Sequence, residues 1–129
     1  MKRILVVDDE PHIAKLVKNI LSSEHFQVDE ANTAFDALTM IKHKKYDMVV
    51  LDVMMPNMNG YELCEKIREN PDTYNMPVIF LTAKHAANDK IQAVHAGADD
   101  YITKPFDPEE LIVKVYALLN ENPKTPQVL

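Results

Sequence analysis

Three four-residue runs of aliphatic and β-branched side chains stop on a polar residue: Ile4-Leu5-Val6-Val7 on Asp8, Met48-Val49-Val50-Leu51 on Asp52, and Val78-Ile79-Phe80-Leu81 on Thr82. A run apolar at every position, rather than at alternate ones, belongs to a strand covered on both faces, which is the condition of a parallel sheet. The intervening segments have helical spacing. Pro11 opens a stretch with Ile13, Leu16, Val17, Ile20 and Leu21 on an apolar stripe, and Phe35, Leu38 and Ile41 mark a second helix after an alternating outer strand at Phe26 to Glu30. Asn59-Gly60-Tyr61-Glu62 has the form of a capping box that starts a third helix through Leu63 and Ile67. Ile91 and Val94 lie on a fourth helix closed by Gly97, a short fifth strand falls at Tyr101-Ile102, and Asp107 caps a fifth helix with Pro108 at its first position and Glu110 at its third. Parallel neighbours need crossover connections, so five strands alternating with five helices predict a doubly wound α/β fold, an open five-stranded parallel sheet in the order 2-1-3-4-5.

At 129 residues the chain has the size of one domain, which buries roughly two-thirds of the surface its unfolded form exposes. Residues 1–120 are read as that domain, and 121–129, with two prolines and little periodicity, as a tail or the start of a linker to a further domain. The net charge of −6 argues against a general nucleic-acid or membrane surface. Cys64 is the single cysteine and reads as a small apolar residue on a helix. The apolar run after Met1 is too short for a signal peptide, and a cytoplasmic setting is expected. The histidines, His12, His25, His43, His85 and His95, show no metal-ligand spacing within one element and read as solvated or partly packed.

Doubly wound sheets bind ligands outside the carboxyl ends of the strands, near the point where strand order reverses. Asp8, Asp9, Asp52, Thr82 and Lys104 fall at those ends. Three carboxylates gathered there repel one another unless a divalent cation joins them, and an oxygen-only set suits Mg²⁺. Such a metal screens an incoming phosphoryl donor so that a carboxylate can act as nucleophile, with Lys104 and the Thr82 hydroxyl available to phosphoryl oxygens. Each feature alone has an ordinary explanation, because an Asp pair commonly caps a helix and a strand-end Thr commonly serves a turn. Their joint occurrence on four strand ends carries the functional reading.

The stretches Leu5 to Glu10, Leu51 to Pro56, Leu81-Thr82-Ala83 and Gly97 to Phe106 resemble the receiver domains of two-component response regulators, over roughly Lys2 to Asn120. The resemblance implies a phospho-acceptor at Asp52, served by a sensor histidine kinase or phosphotransfer protein, and a Mg²⁺ site at Asp8, Asp9, Asp52 and the carbonyl of Met54. It also implies a switch pair at Thr82 and Tyr101, a phosphate-binding Lys104, and a Lys104-Pro105 peptide bond that is cis. Met54 and Lys84 occupy positions that tune self-dephosphorylation in the family; neither is an evident water-positioning carboxylate or amide, so discharge that is not unusually fast is expected. The switched surface is expected on helix four, strand five and helix five, where Lys90, Asp100, Glu110 and Lys114 resemble the charged dimer face of receivers that control transcription. Two rivals fare worse. An aspartate-nucleophile phosphohydrolase typically places a second Asp two residues after the first, where Met54 stands, and a chain with only Gly60 and Gly97 cannot build a glycine-rich dinucleotide loop.

Overall fold

The computed structural model describes residues 1–83 and 87–120, with the side chains of residues 87–90 left aside. Lys84, the Lys90 side chain and the expected tail at 121–129 lie outside the described residues. The elements run β1 (Arg3–Val7), α1 (Pro11–Ser22), β2 (Gln27–Ala31), α2 (Ala34–His43), β3 (Met48–Asp52), α3 (Gly60–Glu69), β4 (Val78–Thr82), α4 (Ala87–Ala96), β5 (Asp100–Thr103) and α5 (Pro108–Leu119). All pairings are parallel, in the order β2-β1-β3-β4-β5. The doubly wound reading holds, and the order reverses between β1 and β3.

Successive strand residues face opposite sides of the sheet, and the two sides have separate cores. Leu5, Val7, Val49, Leu51, Val78 and Phe80 pack under α2, α3 and α4; Ile4, Val6, Met48, Val50, Ile79, Leu81 and Ile102 pack under α1 and α5. Every residue of β3 and β4 is buried, as their unbroken apolar runs require. Truncating a fully buried Phe80 or Leu51 to Ala would cost about 3–5 kcal/mol.

The helix ends form as the sequence implies. Asn59 accepts from the Glu62 amide at 3.0 Å while the Glu62 carboxylate accepts from the Asn59 amide at 3.1 Å, and Asp107 caps α5 through the Glu109 amide at 2.9 Å. Gly97 closes α4 with φ at 98°, its own N–H donating to Val94 and that of Ala98 to Ala93. The apolar stripes differ from expectation in detail. Leu16, Phe35, Ile91 and Val94 face outward, and the buried positions of the same helices are filled largely by Ala14, Ala34, Ala37, Ala93 and Ala96. Alanine fits where a helix lies close against the sheet, and its short side chain escapes a search for large apolar residues.

Candidate functional site

Asp8 directly follows β1 and Asp52 is the last residue of β3, the two strands flanking the reversal point, so the chain leaves the sheet there carrying a carboxylate on each side of one crevice. Asp8 is fully buried and Asp52 is 4% exposed. Carboxylate oxygens of Asp8, Asp9 and Asp52 lie within 4.8 Å of one another. Lys104, which directly follows β5 and precedes a cis bond to Pro105, places its Nζ 3.1 Å from Asp8 Oδ2 and 3.3 Å from Asp52 Oδ1. Its backbone N–H donates to the Thr82 carbonyl at 2.8 Å, which ties the end of β4 to the lysine loop. Thr82 is itself buried, one residue beyond the Leu81 that pairs with Asp52.

Several groups besides these side chains hold this arrangement. The Glu10 amide donates to Asp8 Oδ1 at 3.0 Å, the Asn32 side-chain amide donates to the Asp8 carbonyl at 3.0 Å, and the Met54 amide approaches Asp52 Oδ1 at 3.4 Å. Gly60 allows the first turn of α3 to press against the end of β3. A Cβ at that position would lie 2.4 Å from the Asp52 carbonyl oxygen and 2.8 Å from Val53 Cα. The reason for glycine appears only when α3 is docked.

The electrostatics follow from burial and from the closeness of Asp8, Asp52 and Lys104. Burial, then the neighbouring charge of Asp8, pushes the Asp52 carboxyl up to about 6 against the pull of Lys104. Burial works against the Lys104 charge, but its hydrogen bond to Asp8 and the charges of Asp52 and Asp8 hold it above the ordinary lysine value. Among the described residues the three carboxylates in this crevice meet one ammonium, that of Lys104, which leaves negative charge to be matched, and this donor set fits a divalent cation of the Mg²⁺ type.

The remaining candidates sit away from the acids. Tyr101, half-buried, pairs in register with Phe80 and packs against the α2–α4 core. Asp100 and Lys114 form an ion pair within the chain at 3.0 Å, while Glu110 is exposed. Cys64 is fully buried on α3, and burial pushes its thiol up to about 11, in keeping with a packing role.

An open parallel sheet with a cluster of acids at its reversal point, Asp8 and Asp52 buried and Asp9 not, and a lysine and a threonine beside them, defines a doubly wound α/β domain built around anionic oxygen chemistry. The chain belongs to the response regulator receiver domain family, whose model matches residues 4–116. It is 42% identical over 123 residues to the transcriptional regulatory protein ResD of Bacillus subtilis (95% of this chain, 50% of that protein). It is 40% identical over 124 residues to the response regulator ArlR of Staphylococcus aureus strain Mu50 (96% and 55%). The chain thus spans about half the length of these relatives. A putative response regulator from Chloroflexus aurantiacus superposes with a TM-score of 0.89 at 34% identity, covering 93% of this chain and 98% of that one. The receiver domain of sensor histidine kinase PA1611 from Pseudomonas aeruginosa, which has a magnesium ion coordinated in its active site cleft, gives 0.85 at 27% identity, covering 93% and 98%. The protein is accordingly a receiver domain of two-component response regulators, a signalling switch. Among the described residues no helix is long and apolar enough to cross a membrane.

Proposed function

We propose that Asp52 is the phospho-acceptor, that Asp8, Asp9, Asp52 and the Met54 carbonyl hold Mg²⁺, and that this domain, working in the cytoplasm, takes the phosphoryl group from a phosphohistidine on a sensor histidine kinase or phosphotransfer protein. The observation that carries this reading is the burial of Asp52 against Asp8 and Lys104 at the reversal point. When bound, the metal supplies charge screening for the phosphoryl oxygens. A carboxylate oxygen of Asp52 attacks phosphorus; the new O–P bond forms as the P–N bond to the donor imidazole breaks, and the imidazole departs with the bonding pair. Lys104 Nζ, already between Asp8 and Asp52, moves to a phosphoryl oxygen, and the Thr82 hydroxyl donates to another. Both moves favour the acyl phosphate, and Thr82 draws after it the space that Tyr101 fills.

The switched surface on this reading is α4, β5 and α5, which carries the outward Ile91, Val94 and Val113. The similarity to ResD, a transcriptional regulatory protein, supports an output in transcription. On activation two copies pair through this face, with Lys90, Asp100, Glu110 and Lys114 exchanged across a two-fold axis, which requires the intrachain Asp100–Lys114 pair to open or to be shared. Met54 and Lys84 set the lifetime of the phosphoryl group. Labelling by acetyl phosphate with Mg²⁺ tests the chemistry: the natural chain takes one phosphoryl group and Asp52→Asn takes none, whereas undiminished labelling of that variant removes the assignment. Sedimentation velocity with beryllofluoride and Mg²⁺, at low and high salt, tests the pairing, and a monomer throughout removes it.

A further inference from the structure

Asn59-Gly60 is the one Asn-Gly pair in the sequence, and the chemistry at the acids makes no use of it. An asparagine side chain is open to attack by the backbone nitrogen of the next residue, and glycine, with no Cβ, leaves that nitrogen unhindered and the chain free to bend toward it. The Gly60 nitrogen attacks Asn59 Cγ; the N–Cγ bond forms as the bond from Cγ to Nδ2 breaks, and Nδ2 departs as ammonia with the proton that Gly60 gives up. Water then opens the five-membered imide. Addition at Cγ yields aspartate at position 59. Addition at the main-chain carbonyl of residue 59 yields isoaspartate, in which the backbone runs through Cβ and Cγ and is one carbon longer.

In the folded chain each group in that ring closure is held elsewhere. The Gly60 N–H donates to the Val53 carbonyl at 2.9 Å. Asn59 Oδ1 accepts from the Glu62 amide at 3.0 Å and the Glu62 carboxylate accepts from the Asn59 amide at 3.1 Å, so the side chain and the backbone of Asn59 are both fixed. The Asn59 backbone is extended, with ψ at 175°, whereas the ring needs the Gly60 nitrogen nearly eclipsed with Cβ. Gly60 is buried against the end of β3, and a Cβ there would run into the Asp52 carbonyl oxygen and Val53 Cα, so the dipeptide has no room to turn in place.

We propose that Asn59 is a latent deamidation site held closed by the capping box, so that conversion proceeds only through local opening of the first turn of α3. The two products act differently on the fold. Aspartate is a strong N-cap and its charge suits the N-terminal end of a helix, so the aspartate product restores the cap. Isoaspartate adds a backbone carbon at a junction that has no space for one more atom at Gly60, and it parts the first turn of α3 from the end of β3. That junction carries Asp52. Loss of phosphoryl acceptance by the isoaspartate form is the one consequence that rests on the reading of Asp52 as phospho-acceptor.

Incubation at mildly alkaline pH, followed by peptide mass mapping of the conversion of amide to acid, tests the site. Asn59 converts at least about tenfold more slowly in the folded chain than in the same chain in concentrated urea. Glu62→Ala removes one arm of the box and raises the folded-state rate about three- to tenfold, the loss of one hydrogen bond. Glu62→Gln keeps an acceptor and the slow rate. Val115→Ala, which loosens the core on the other side of the sheet, leaves the rate unchanged. Equal rates in the folded and unfolded chain, no response to Glu62→Ala, or an equal acceleration by Val115→Ala overturns the proposal; the first comparison needs no variant and decides the question if Glu62→Ala does not fold. Asn59→Asp, the aspartate product made directly, unfolds at the same urea concentration as the natural chain, and the isoaspartate form isolated from the aged chain unfolds earlier and takes severalfold less phosphoryl group from acetyl phosphate with Mg²⁺. Equal urea midpoints for the two products overturn the strain at the junction, and equal labelling of the two overturns its link to Asp52. An isoaspartate form that unfolds early while even the natural chain takes no phosphoryl group supports the modification and overturns the reading of Asp52 instead.

Discussion

Removing the charge of Asp52 is expected to stabilise the metal-free protein. The side chain is 6% exposed, and burial together with Asp8 raises its pKa from 3.8 in an unfolded chain to about 6. A carboxyl whose folded pKa is raised binds its proton more tightly when folded, so it favours the fold at low pH and loses that contribution as pH climbs from about 4 through about 6. Above that window the folded state bears a cost of about 1.4 kcal/mol for each unit of the gap, or roughly 3 kcal/mol in all. Asn fills nearly the same volume and titrates nowhere in this range. Allowing for relaxation of the crevice around the native charge, Asp52→Asn gains about 2 kcal/mol at about pH 7.5 in chelator, roughly 8 °C in melting temperature for a domain of this size. Urea unfolding of both proteins at about pH 7.5 and about pH 4 provides the assay, and at the lower pH the difference shrinks below about 1 kcal/mol. Equal stability at the higher pH, or a gap that does not change with pH, would refute the argument that the acid crevice is electrostatically strained.

Asp9→Ala removes a charged oxygen ligand and weakens Mg²⁺ binding by about an order of magnitude or more, read from an NMR titration; an unchanged titration would show that Asp9 lies outside the metal site. Gly60→Ala drives a methyl group toward the Asp52 carbonyl and Val53 Cα, and lowers stability by about 2–3 kcal/mol in the same urea assay. A midpoint equal to that of the natural chain would mean that the junction of β3 and α3 yields without cost.

The fold was legible because its strands are apolar at every position. Val49-Val50-Leu51 and Ile79-Phe80-Leu81 admit few arrangements other than a sheet covered on both faces, and the polar residue ending each run locates the crevice. The site was legible for the same reason, since Asp8, Asp52, Thr82 and Lys104 are spaced by the strand period and not by any local motif. What escaped the sequence depends on docking between elements. Asn32 reaches the Asp8 carbonyl only after β2 is paired to β1, and Gly60 matters because of a backbone oxygen eight residues earlier. Arg68 looks like an ordinary basic residue in the last turn of a helix until the corner at Gly97 folds over it. The helix faces were misjudged where alanine, rather than a large side chain, makes the contact. The pair of Asp100 with Lys114 was legible as opposite charge, but not as a bond within one chain.

The central claim is that Asp52 accepts a phosphoryl group. Incubation with acetyl phosphate and Mg²⁺, followed by borohydride trapping of the acyl phosphate and peptide mass mapping, tests it most directly. A single modified residue, Asp52, is expected, formed only with the metal present and absent from Asp52→Asn. Modification of Asp8 or Asp9 instead, or labelling that persists in chelator, would contradict it.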